Sequence, residues 1–205
     1  MRTTRVAILA LAFTVIVGCS TLSFDYPREH STAVSASLDS KLKGRVDNWQ
    51  QSNDGPSGFY PLIGGNDAFG TRLWLMEHAE HSIDAQYFMM KGDTAGQIFA
   101  GSLLAAADRG VRVRFLLDDV FTTVGDAELA LIDAHANIEV RLYNPISRRG
   151  IGILNFLGDF HSANRRMHNK SFTVDNQVTV VGGRNIADEY FELRKEGEFL
   201  DLDVV

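Results

Sequence analysis

Residues 82–120 read SIDAQYFMMKGDTAGQIFAGSLLAAADRGVRVRFLLDDV, and this stretch constrains the fold more than any other. Ser82–Met90 alternates in polarity and is rich in strand formers. Gly96–Arg109 places Ile98, Leu103, Leu104 and Ala107 at helical spacing and meets a stop at Gly110. Val111–Val120 alternates again. A further helix over Ala127–His135 and a strand over Ile138–Tyr143 continue the pattern, which predicts an α/β sheet with helices on both faces. Upstream, Asn66-Asp67 can cap a helix running to about Glu80, with Phe69, Leu73, Met76 and Ala79 inward. Downstream, Met167–Val174 and Gln177–Val181 read as short strands about an Asp175-Asn176 turn, and Phe199–Val205 as the start of another. With 205 residues, 45% of them hydrophobic, the chain can bury one sizeable core. No internal repeat is visible.

The first residues, MRTTRVAILALAFTVIVGCS, follow different rules. Arg2 and Arg5 precede an apolar run, Val6–Val17, interrupted only by Thr14. About a dozen residues are too few for a membrane-spanning helix of roughly 20. They suit the apolar region of a signal peptide over residues 1–18. The run ends at Cys19, the only cysteine, so no intrachain disulfide can form. Ile16-Val17-Gly18-Cys19 resembles the lipobox of bacterial lipoproteins, which implies cleavage before Cys19 and lipid upon it. Ser20 in the following position implies a periplasm-facing anchor in the cell envelope, with the outer membrane favoured. Residues 19–58 read as a polar tether with one short helix around Ser37–Trp49, closed by the turn residues Asp54-Gly55-Pro56-Ser57-Gly58. The globular domain is expected over residues 59–205.

The chemistry concentrates in MHNKSFTVDNQVTVVGGRN, Met167–Asn185. His168 and Lys170 are two apart, so on a strand they face the same way. Together they can engage one anion: Lys170 as a point charge on a phosphoryl oxygen, His168 as a nucleophile through a neutral ring nitrogen. Asn185 can donate an amide N–H to a second oxygen, and Gly182-Gly183 lets the backbone approach a ligand without a Cβ. These are the parts of a phosphodiester site that needs neither metal nor cofactor.

HNKSFTVD fits H-x-K-x4-D, with GGRN six residues further on, and so resembles the phospholipase D superfamily motif. RRMHNK, GGRNIADEYF, IDAQYF and AAADRGVRVRFLLDD look most like the C-type bacterial cardiolipin synthases. The resemblance implies a mixed α/β sheet flanked by helices. It implies a phosphohistidine on His168, charge stabilisation by Lys170 and Asn185, and a second histidine that protonates the leaving alcohol and activates the acceptor. It makes Asp175 structural, fixing a turn, and puts the acid that orients His168 on the last strand. There Asp201 and Asp203 share a face, and Asp203 is the chosen candidate. Where the family commonly has Gly-Ser, this chain has Gly182-Gly183, one hydroxyl fewer near the phosphate. Gly183, Arg184 and Asn185 are the further phosphate-binding candidates beside Lys170, and Arg165 and Arg166 flank them.

The remaining candidates are weaker. His161 and His168 with Asp159 match no common metal-ligand spacing, so no metal is expected. Asp118-Asp119 suits a turn cap or arginine partner, and His78 and His81 a helix end at the surface. Arg148–Asn164 is Gly-rich and reads as a packed surface loop or a lid. A single motif leaves the second histidine to a further half of a longer protein or to a paired copy of the chain. The net charge of −6 argues against a nucleic-acid partner. The leading reading is a phosphatidyltransferase using phosphatidylglycerol, with phosphatidylglycerol or phosphatidylethanolamine as donor. A phospholipase D-type hydrolase using water as acceptor comes second. A lipid-anchored binding module with a relic site comes third.

Overall fold

The computed structural model describes residues 30–36, 38–145, 165–194 and 196–205. The signal segment, Cys19, Asp159, His161 and the whole Gly-rich stretch 148–164 lie outside the described residues. His30–Tyr143 and Arg166–Val205 form one compact unit. In chain order it contains α1 (Lys41–Asn53), β1 (Pro61–Leu62), α2 (Gly65–His78), β2 (Ser82–Tyr87), α3 (Thr94–Asp108), β3 (Arg112–Asp118), α4 (Asp126–Asp133), β4 (Ile138–Tyr143), β5 (Ser171–Val174), β6 (Val178–Gly182), a 3₁₀ turn (Asp188–Tyr190) and β7 (Asp203–Val204). Among the described residues no helix is long and apolar enough to cross a membrane.

One seven-stranded sheet runs in the order β1-β7-β6-β5-β2-β3-β4. The β2–β3 and β3–β4 pairs are parallel and the others antiparallel. The sheet is therefore mixed, as the family resemblance implied. The expected crossover units supply its parallel half. Gly110, at φ 94°, ends α3 in the left-handed conformation that glycine adopts without strain.

Among the described residues the crossover helices share one face. β2, β3 and β4 step in one direction, and right-handed crossovers then put α3 and α4 on the same side. Ile83, Ala85 and Tyr87 of β2, Val113, Phe115 and Leu117 of β3, and Phe172 and Val174 of β5 are buried beneath them. Ala85 pairs with Phe115 on one side and Phe172 on the other, and its small side chain leaves a hollow between the two rings. Phe99 of α3 fills it, with centroids 5.7 Å from Tyr87, 5.8 Å from Phe115 and 5.9 Å from Phe172. Deleting that ring costs about 3–5 kcal/mol. Ile98, the residue expected inward, is 42% exposed.

The alternate residues of the same strands give the other face a polar surface. Asp84 accepts from Arg114 Nε at 2.5 Å, Arg141 pairs with Glu139, and Thr173 and Thr179 join hydroxyls at 3.0 Å. Among the described residues the expected helices on both faces are met on one face only, and the alternation agrees with that: VRVRF is half polar.

The tether expected over residues 19–58 is also revised, because the chain is packed against the domain from His30 onward. Carbonyls of alternate residues are held by side chains from one end of the sheet. Arg112 donates to the Thr32 carbonyl at 2.8 Å, Asn176 to Val34 at 3.1 Å and Gln177 to Ala36 at 2.7 Å. Ser40 then caps α1 through Lys43 N, and Leu42 inserts into the core.

Candidate active site

The topology brings the quoted motif to one end of the sheet. β5 is antiparallel to β2, so residues just before β5 lie at the carboxyl end of β2 and β3. Residues just after β6 and just before β7 reach the same end. Ligands of α/β sheets collect at such ends.

His168 and Lys170 both lie against the ring of Phe88, the residue following β2. The imidazole meets it edge-on at 4.7 Å, and Lys170 Nζ lies 5.3 Å from its centroid. Lys170 is 8% exposed, and its ammonium donates to the His168 carbonyl at 3.1 Å. Desolvation lowers its pKa below the usual lysine value, and the charge of Asp201 opposes that lowering. Asn185 is buried. Its Oδ1 accepts from Met89 N at 3.1 Å and its Nδ2 donates to the Tyr190 hydroxyl at 3.1 Å, which leaves one amide hydrogen for a ligand.

Asp118, at the carboxyl end of β3, fixes the approach to His168. Its wholly buried carboxylate accepts from Met167 N at 2.8 Å, Val120 N at 2.9 Å and Arg166 Nη1 at 3.2 Å. It is thus both a turn cap and an arginine partner. Arg166 is turned to this pair, while Arg165 is exposed.

Asp175 stands at the opposite end of β5. With Asn176 it forms a two-residue turn in which both φ values are 52°. Its carboxylate accepts from Glu80 N at 3.1 Å, His81 N at 2.8 Å and Ser82 N at 3.0 Å, tying the hairpin to the start of β2. His81 Nε2 meets the Asp39 carbonyl, and His78 stacks on Trp74.

Three candidates are placed differently from expectation. Asp203 does not meet His168. It is wholly buried, 2.9 Å from Arg72 Nη2 and 3.6 Å from Arg184 Nη1, and it also accepts from Arg184 N at 3.3 Å. Arg184 is turned into the core, with its remaining donors on the carbonyls of Leu62 (2.9 Å), Ile63 (2.5 Å) and Tyr190 (3.2 Å). At 2% exposure, with donors on all three of its nitrogens held by core carbonyls, that guanidinium is turned away from any phosphate. The Gly183 amide is likewise spent, on the Leu202 carbonyl at 3.2 Å.

The two glycines make room for carboxylates. A Cβ on Gly182 would lie 2.0 Å from Asp203 Oδ1 and 2.5 Å from the Leu202 carbonyl, and one on Gly183 would lie 1.9 Å from Asp201 Oδ1. Asp201, the neighbour passed over in the sequence reading, is thereby the acid beside Lys170. Arg72 was missed as well. Its signal was an arginine on the apolar face of α2, a position that requires a buried acceptor. Among the described residues no group of three or more His, Cys, Asp or Glu side chains is arranged to hold a metal.

The sheet, with His168, Lys170 and Asn185 at one end of it, defines a phospholipase D-like domain. The chain belongs to that family: residues 73–201 match the model described as cardiolipin synthase, phospholipase D-like domain. It is 53% identical over 151 residues to cardiolipin synthase C of Escherichia coli strain K12, covering 74% of this chain and 32% of that protein. The chain spans about a third of the length of the curated relatives it matches. Among solved structures it is similar to phosphatidylserine synthase of Haemophilus influenzae (TM-score 0.54, 14% identity, 71% of this chain and 32% of that one). It is also similar to NucT of Helicobacter pylori (TM-score 0.51, 15% identity, 72% and 84%). At those identities the likeness is one of fold.

Proposed function

We propose that this chain carries the nucleophilic half of a phosphatidyltransferase of the cardiolipin synthase type. The observation that carries the reading is the shared seat of His168 and Lys170 on Phe88, beside Asn185. A neutral ring nitrogen of His168 attacks the phosphorus of a phospholipid donor. A P–N bond forms, the P–O bond to the headgroup breaks, and the leaving oxygen takes a proton from a second histidine. The acceptor hydroxyl of phosphatidylglycerol returns a proton to that histidine and attacks phosphorus, the P–N bond breaks, and His168 is restored. Lys170 and the free amide hydrogen of Asn185 neutralise charge on the non-bridging oxygens in each step. The second histidine belongs to a further motif, in the same polypeptide or in a second copy about a two-fold axis. The apolar N-terminal run and Cys19 support a lipid anchor that would keep the chain among envelope phospholipids.

The test is a product analysis of the whole protein on phosphatidylglycerol vesicles, with and without phosphatidylethanolamine. Cardiolipin as the main product, lost by roughly 10⁴-fold or more in His168→Ala, is the expected result. Phosphatidic acid as the main product assigns the protein to the hydrolases instead.

A further inference from the structure

Phe121, packed on the ring that seats His168 and Lys170, has a placement that neither the core nor the phosphoryl chemistry accounts for. Phe88 touches His168 on one side and Phe121 on the other, the latter edge-on at 5.3 Å. Phe121 is 56% exposed, yet the loop that presents it is tightly held. Val120 N donates to Asp118, the Thr122 hydroxyl donates to the Asp118 carbonyl at 2.8 Å, and Thr123 N donates to the Met90 carbonyl at 3.0 Å. The carboxylate of Asp118 that braces this loop also holds Met167, the neighbour of His168. Phe88 is fixed from its other end, where Met89 N donates to Asn185 and Met90 pairs with Ile186. The ring of Phe121 is thus presented to solvent on a backbone these bonds hold in place, one ring away from the ammonium of Lys170.

We propose that Phe88 and Phe121 form an apolar shelf for the diacylglycerol body of the phosphatidyl group, and that this shelf keeps water from the phosphohistidine so that an alcohol is the acceptor. The inference rests on the phosphatidyltransferase reading. A phospholipid presents an anion and an apolar body side by side, and the site presents Lys170 and the two rings side by side. With the acyl-glycerol body seated on Phe121, the exposed side of the His168–Phe88 contact is covered. Water loses access there, while a hydroxyl carried on a second lipid arrives from the membrane side.

The experiment uses the whole protein with phosphatidylglycerol vesicles and, separately, with the soluble diester bis(4-nitrophenyl) phosphate. Phe121→Gln keeps size and loses apolarity, and Phe121→Leu keeps apolarity and loses the ring. The expected result is that Phe121→Gln raises the ratio of phosphatidic acid to cardiolipin about tenfold. Its loss of turnover on vesicles should also exceed its loss on the soluble diester by about fivefold. Phe121→Leu restores most of both quantities. An unchanged product ratio, or equal losses on the two substrates, overturns the shelf. If the unmutated protein makes phosphatidic acid alone, the transferase reading fails on its own. The exclusion of water fails with it, and the seat for the diacylglycerol body is then judged by the vesicle-to-diester comparison, where equal losses overturn it and a larger vesicle loss upholds it.

Discussion

Lys170 stands just before β5 and Asp175 just after it, and these two charged residues of one motif are employed in opposite ways. Asp175 spends its carboxylate on three consecutive backbone N–H groups that lead into β2. Lys170 is nearly as buried, but its ammonium has a carbonyl, an aromatic face and the field of Asp201, with donors to spare. A buried charge whose hydrogen bonds are complete fixes structure. One held out of water with its capacity unfilled binds something. The same contrast separates Asp203, enclosed by two arginines, from Asp201 two residues before it.

The sharpest way to break the comparison is at the two aspartates of the last strand. Asp203→Asn leaves Arg72 and Arg184 without their carboxylate, and breaking a buried pair of this kind costs about 3–5 kcal/mol. Thermal unfolding should shift by about 10 °C for a domain of this size. Asp201→Asn should leave the transition in place. Equal shifts for the two would erase the distinction.

Next in size is Asp175→Ala, which removes the acceptor for Glu80, His81 and Ser82 N–H groups and should cost about 2–3 kcal/mol. Denaturant unfolding measures it. The folded fraction should retain the turnover number, because Asp175 touches no group at the catalytic end; a collapse in turnover per folded molecule would make it part of the site.

The smallest effect is a titration. Lys170 is held below the usual lysine pKa by desolvation, against the raising influence of Asp201. Because the folded value is depressed, the folded state binds fewer protons than the unfolded chain between that value and the ordinary one, 10.5. Stability therefore rises with pH across that window. Removing the Asp201 charge depresses the value further. In Asp201→Asn the Nζ resonance should titrate at lower pH, and the alkaline limb of kcat/KM should move the same way. Movement upward would contradict the assignment of Asp201 as the neighbouring acid.

The sequence carried these features unevenly. Alternation in Ser82–Tyr87 and Arg112–Asp118, the Gly110 stop and the Asp175-Asn176 turn are local, and each appears in the structure within a few residues of its expected place. The insertion of β5 between β2 and β6 is not local, and that pairing is what carries His168 to the carboxyl end of β2. The choice between Asp201 and Asp203 was illegible because it depends on Arg72, 131 residues from Asp203 in sequence. The strap over residues 32–36 was read as a free tether because its carbonyls are what the sheet holds, and a carbonyl leaves no trace in residue identity. Ile98 and Phe99 are adjacent on α3, and only the hollow over Ala85 decides which turns inward.

The central claim is that His168 becomes covalently bonded to phosphorus. The direct measurement is to mix the whole protein with phosphatidylglycerol vesicles, quench in alkali within the first turnovers, and map the modified peptide by mass spectrometry. The account expects a phosphatidyl adduct on the peptide containing His168, absent in His168→Ala. Turnover with the adduct on another residue, or with none at any time point, would contradict it.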